Sequence, residues 1–155
     1  MIICQPTQPP AVGGGGGYRF LRAWDGWLHA HGHGVTRRLL APAEALFVNG
    51  WHVAPWRVRL WRWRHPRGRI VHRVDGWGSH YGRLDGPTVD KRQARVMYAA
   101  DVVIFQSAWA KRVSPVDPLT SVVIHNPVDL ATFSPEGAPT GTGSARVAIV
   151  SWSDN

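Results

Sequence analysis

The chain has 155 residues, of which 44% are hydrophobic and 18% charged, and a formal net charge of +8. This length allows one domain with a substantial core and excludes two full ones. The composition excludes a disordered chain, and the charge calls for an anionic partner such as nucleic acid, lipid or a phosphorylated ligand without choosing among them.

The opening segment, MIICQPTQPP, has no basic region followed by an apolar one, so no secretory signal is expected. Met1–Cys4 reads as a first strand that the prolines from Pro6 to Pro10 end. The single cysteine, Cys4, cannot form an internal disulfide and fits a reducing, cytoplasmic setting. Five consecutive glycines, Gly13–Gly17, then precede a predicted helix over Tyr18–His31, whose Phe20, Leu21, Trp24, Trp27 and Leu28 recur at helical spacing. Gly32 and Gly34 are placed to stop it. Strand, glycine loop and helix open a βαβ unit, with Val35–Leu40 as the second strand and Ala45–Val48 as a third apolar run ending at Asn49-Gly50.

The next segment, Trp56–Arg64 (WRVRLWRWR), has the most unusual local composition in the chain. On a helix, Trp56, Leu60 and Trp63 share a face with Arg59 and Arg62 beside them, while Val58 and Trp61 point elsewhere. Tryptophan flanked by arginine is the pattern of an element lying at an anionic membrane surface. The competing reading is an ordinary helix with its tryptophans in the core and its arginines in water. Stacking tryptophans would also suit single-stranded nucleic acid, but no RNA-binding sheet motif or helix-turn-helix pattern accompanies them.

Arg69–Val74 is the next predicted strand, and it stops at Asp75-Gly76. A polar loop, Gly76–Pro87, leads to a predicted helix over Thr88–Ala100 with Val89, Met97 and Ala100 inward and Lys91, Arg92 and Arg95 outward. Val102–Phe105 stops at Gln106-Ser107, with Ser107 placed to cap a helix over Ala108–Arg112. Val122–Ile124 stops at His125-Asn126. Short apolar runs of this kind, rich in β-branched residues and bounded by turn formers, read as strands buried on both faces. About six strands with helices between them predict an α/β domain, a Rossmann-like, doubly wound, mostly parallel sheet over residues 1–135. Residues 136–145 read as a linker by composition. The apolar run Arg146–Trp152 reads as the first strand of a truncated second domain, residues 146–155.

In an open parallel sheet, ligands bind beyond the carboxyl ends of the strands. Gly15, Gly16 and Gly17 would bring backbone N–H groups and a helix N-terminus to a ligand there. The dinucleotide fingerprint fails, because its third glycine falls on Tyr18 or Arg19, and the lysine and hydroxyl of a P-loop are absent. This weighs against a nucleotide-cofactor enzyme of another class. Asp75, directly after a strand, is the first candidate to orient or deprotonate a hydroxyl, and His80 the second; His72 competes with both. Arg73, Gly76, Gln106 and Asn126 are candidate substrate-binding residues, although Asp-Gly and Asn-Pro are also ordinary turns. His29, His31 and His33 do not form a metal set, since Gly32 ends the helix between them and no cysteine or carboxylate completes the ligands.

The segments ADVVIFQSAWAK and VVIHNPVDLATFSP resemble the end of the N-terminal domain of family 4 glycosyltransferases with the GT-B fold, and HRVDG (His72–Gly76) resembles the loop after an earlier strand of that domain. The resemblance implies transfer of a sugar, with retention of configuration, from a nucleotide sugar to the hydroxyl of a glycan or lipid-linked acceptor. No cofactor is implied beyond the nucleotide-sugar co-substrate, and no metal. It places the glycine loop across the cleft from the donor, and a histidine or aspartate of the loop after the earlier strand at the reacting sugar. The basic residue and paired glutamates that grip the donor in this family would belong to the second domain, so this chain is expected to be the acceptor-binding half and inactive alone. The alternative expectation is a basic Rossmann-like module that binds anionic lipid or nucleic acid. A cytoplasmic protein, peripheral on the inner face of the membrane, fits both expectations.

Overall fold

The computed structural model describes residues 1–11 and 15–126. The predicted linker and second-domain strand, and the Pro127–Pro135 part of the resemblance, lie outside the described residues. Six strands form one all-parallel sheet: β1 (Ile2–Cys4), β2 (Gly34–Thr36), β3 (Ala45–Asn49), β4 (Arg69–Val74), β5 (Val102–Phe105) and β6 (Ser121–Val123). Their order across the sheet is β2-β1-β3-β4-β5-β6. The chain therefore winds one way from β1 to β2 and the other way from β3 onward, a doubly wound Rossmann-like arrangement with its switch point between β1 and β3. Helix α1 (Gly16–Ala30) packs on one face. Helices α2 (Pro55–Arg64) and α3 (Gly86–Met97) pack on the other, and a short α4 (Ala108–Arg112) follows β5.

The second strand is shorter than its apolar run, for a reason that lies in the ladder. The second strand stops at Thr36 rather than Leu40, because its partner β1 is ended by Pro6 after Gln5 N–H donates to the Thr36 carbonyl. Helix α1 begins two residues earlier than predicted, on Gly16 and Gly17, with Gly15 as its N-cap. Gly32, at φ +73, ends it in the left-handed conformation that only glycine adopts cheaply, while Gly34 belongs to β2. The polar loop before α3 contains a 3-10 turn, Gly78–Tyr81, pinned where the Asp90 carboxylate accepts from the N–H groups of Gly78 (2.7 Å) and Ser79 (3.1 Å). Ser107 caps α4 as predicted, its hydroxyl accepting from Ala110 N–H at 3.0 Å.

The core has three parts. Cys4, Leu46, Val48 and Ile70 meet Val58 and Trp61 of α2 and Val96 of α3. Val74, Val103 and Phe105 meet Met97 and Ala110, with Trp77 between them. On the other face, Ile3 and Phe47 meet Leu21 and Leu28 of α1. Burial pushes the Cys4 thiol up to about 11, which makes it an inert core residue. The expectation of strands buried on both faces holds for β4, where Ile70, His72, Arg73 and Val74 are buried and Val71 partly so, and it also describes β3. It fails for β5 and β6: in β5, Val103 and Phe105 are buried while Val102 and Ile104 are only partly so, and β6 is largely exposed. The reason is coverage. Helix α1 lies over β1 and β3, and among the described residues no helix covers the same face of β5 and β6.

Candidate functional site

The carboxyl edge of the sheet opens into a cleft of about 650 Å³. Five strands or their following loops contribute to it: the α1 start after β1, Trp51 and His52 after β3, Arg73 and Asp75 at the end of β4, Gln106 after β5 and Asn126 after β6. The volume is that of a small-molecule site, and it begins at the switch point, where ligands of such sheets bind.

Its floor is one hydrogen-bonded network. The Arg73 guanidinium, only 3% exposed, donates to Asn49 Oδ1 at 2.7 Å and Asn126 Oδ1 at 2.6 Å and pairs with the Asp75 carboxylate. Asn126 Nδ2 donates to Gln106 Oε1 at 3.0 Å, and Gln106 Nε2 donates to the Asp75 carbonyl. Phe20 lies under the guanidinium, 3.9 Å from its carbon to the ring centroid. Burial pushes Arg73 down to about 10, so it remains a cation at neutral pH. A buried arginine is costly unless its charge is answered; here three acceptors from three different strand ends meet its two terminal nitrogens.

The α1 start is built against this network. A Cβ on Gly17 would lie 2.8 Å from Asp75 Oδ2 and 3.1 Å from Asn49 Nδ2, so only glycine lets the first helical turn reach the carboxylate. The helix has no side-chain cap, and its first N–H groups have no partner inside the helix. The positive end of the helix and the Asp75 carboxylate therefore face each other across the cleft floor.

Aromatic rings form the wall. Tyr18 and His52 lie with centroids 5.0 Å apart, Trp51 and His52 5.3 Å apart, and Arg83 sits over Trp51 at 5.4 Å. Burial, and then the neighbouring Arg83 cation, hold His52 below its ordinary value, so it is neutral at pH 7. Tyr81 closes the cleft on the α3 side, its hydroxyl 3.4 Å from the Asp75 carbonyl and its ring over Gly76.

Of the residues expected from sequence, Gly15, Gly16, Gly17, Arg73, Asp75, Gln106 and Asn126 line this one cleft. Gly76 is buried directly beneath Tyr81 and does not line it. His80 lies outside, exposed, with its ring edge-on to Trp109 at 5.5 Å. His72 is in the core, its Nε2–H donating to the Gly50 carbonyl at 3.0 Å, and burial holds it down at about 4. Among the three competing residues, only Asp75 faces the cleft. His31 stacks on Trp27 at the end of α1, and among the described residues no cluster of three metal-ligating side chains exists.

Sequence reasoning missed Asn49, Trp51, His52, Tyr81 and Arg83. Asn49 follows an apolar run and was open to the same strand-end rule as Asp75. Trp51 and His52 lie two and three residues further on, while Tyr81 and Arg83 depend on the 3-10 turn, for which the sequence carries no signal. No protein family, curated protein or solved structure matched the chain in comparison.

Proposed function

We propose that this chain is the acceptor-binding half of a retaining glycosyltransferase, moving a sugar from a nucleotide sugar to the hydroxyl of a glycan or lipid-linked acceptor in the cytoplasm. One observation carries the reading: a helix N-terminus made of glycines and a carboxylate fixed by a buried arginine meet in a single cleft at the carboxyl edge of a doubly wound sheet. The motifs from Ala100 to Pro135 and from His72 to Gly76 point the same way.

In this reading each part has a task. Asp75, whose geometry Arg73 holds, accepts a hydrogen bond from the acceptor hydroxyl, orients its oxygen toward the anomeric carbon and takes its proton as that bond forms. The N–H groups of Gly16 and Gly17 and the α1 dipole face the diphosphate as it leaves with the bond electrons. Trp51, His52 and Tyr81 form the apolar walls that fix a sugar ring, and Gln106 and Asn126 supply the remaining polar contacts at the floor. The chemistry is positioning plus electrostatics, and the donor is gripped by groups of a second domain.

The test is saturation-transfer NMR on this chain with a panel of simple glycosides and of nucleotide sugars. Transfer to at least one glycoside, lost in Asp75→Ala with the circular dichroism unchanged, supports the reading. Absence of any saccharide signal overturns it, and a signal confined to the nucleotide moiety of the nucleotide sugars overturns it in favour of a different α/β nucleotide-binding enzyme.

A further inference from the structure

Helix α2 is apolar on two opposite sides, and the fold uses only one of them. Val58 and Trp61 are fully buried in the core, whereas Trp56 and Trp63 are 63% and 77% exposed. At about 100° per residue, Trp56, Leu60 and Trp63 fall on one stripe, roughly 160° around the helix from the centre of the buried pair. Leu40, itself 54% exposed, lines the same shallow groove as Trp56 and Leu60.

The margins of this stripe are basic. Arg57 flanks it within the groove, Arg59 and Arg64 are exposed on the helix itself, and a second groove joins Trp56 to Lys91, Arg92 and Arg95 of α3. No aspartate or glutamate lines either groove, and none lies on α2. The arginines that do meet carboxylates here, Arg37 with Asp25 and Arg62 with Asp101, sit at the edges. Among the described residues, no ion pair engages Arg57, Arg59, Arg64, Lys91, Arg92 or Arg95.

We propose that this face docks the protein on an anionic lipid bilayer. Trp56 and Trp63 would sit at the headgroup level, with Leu40 and Leu60 between them against the acyl boundary, while the arginines reach lipid phosphates. Charge complementarity names an anionic partner, and the leucines name the kind: an exposed Leu40 and a half-buried Leu60 gain nothing from a phosphodiester backbone but lose water in an interface. The surface is distinct from the cleft, and the inference does not rest on the glycosyl-transfer reading.

The test is co-sedimentation of the full chain with vesicles of pure phosphatidylcholine and of equal parts phosphatidylcholine and phosphatidylglycerol. Binding is expected to the mixed vesicles only, weakened by salt, reduced about fivefold for each arginine removed in Arg59→Gln and Arg64→Gln, and lost in the double variant Trp56→Ala, Trp63→Ala. These side chains are exposed, and an unchanged urea midpoint verifies that the variants fold. Equal binding to both vesicle types, no binding to either, or binding unchanged in the tryptophan variant overturns the proposal. Tight binding of a single-stranded oligonucleotide in the absence of vesicle binding overturns it in favour of nucleic acid.

Discussion

The carboxyl edge of the sheet and the outer face of α2 use the same two residue types, arginine and tryptophan, for opposite purposes. At the sheet edge Arg73 is buried, and both of its terminal nitrogens meet oxygens, from Asn49 and Asp75 on one and Asn126 on the other. On α2, Arg59 and Arg64 stand in water with no carboxylate partner among the described residues. Trp61 fills the core while Trp63, two residues on, is exposed. The first region has already met its partners within the fold, and its geometry is set by them. The second meets no carboxylate among the described residues, and its exposed residues cost the fold little to change.

The comparison can be broken by substitution. Trp61→Ala empties a fully buried ring site and is expected to cost about 3–5 kcal/mol, whereas Trp63→Ala should stay within about 0.5 kcal/mol; urea unfolding of both reads the contrast directly. Equal effects would mean that both faces of α2 are packed, and a larger loss at Trp63 that the two faces have been assigned the wrong way round. Arg73→Met leaves the Asp75 carboxylate and two amide oxygens without their donor. The loss should be about 3 kcal/mol, the low end of the range for a broken buried pair, because the Asp75 side chain keeps 23% exposure to water. Arg59→Met, by contrast, should leave the urea midpoint nearly unchanged.

A pH titration tests the packing under the site. The neutral His72 ring donates from Nε2 to Gly50, and its Nδ1 is buried without a partner, so protonation there is disfavoured in the fold. Its value drops from 6.5 to about 4 on folding. The unfolded chain therefore binds the extra proton first, and stability is full above pH 6.5 and falls as the pH drops toward 4. The loss amounts to about 3 kcal/mol. His72→Gln, which can still donate to Gly50, should flatten that part of the profile; an unchanged profile would assign the acid sensitivity to another group.

Among the packed positions, the smallest loss is expected at the α1 start. Gly17→Ala would ordinarily gain about 1 kcal/mol inside a helix, but here its Cβ meets the Asp75 carboxylate and Asn49, so a net loss of about 1–3 kcal/mol is expected in thermal or urea unfolding. A net gain would show that the helix start and the network are not in contact.

Much of this was legible along the chain. The apolar runs at Ala45, Ile70 and Val102 are interior strands of the sheet and that at Val122 is its edge strand β6, and the rule that ligands gather beyond strand ends picks out Asp75, Gln106 and Asn126 from the sequence. The stripe Trp56–Leu60–Trp63 was readable from helical spacing alone. His80 was not correctly placed, because nothing in its local sequence says that the 3-10 turn carries it away from the cleft toward Trp109. Arg73 is a candidate ligand-binding residue from sequence, but alternation along a strand gives only a side and does not say that oxygens of Asn49, Asp75 and Asn126 wait there.

What the sequence by itself determined is the element order, the parallel sheet and the edge at which polar side chains emerge, because strand length, β-branching and turn residues act over a few neighbours. Only the tertiary structure decided which of those side chains meet. The Arg73 network joins residues from positions 49 to 126, and Gly17 is tight only because Asp75 lies against it. Such contacts depend on strand order and register, which arise from packing across the whole sheet and which no local stretch of sequence contains.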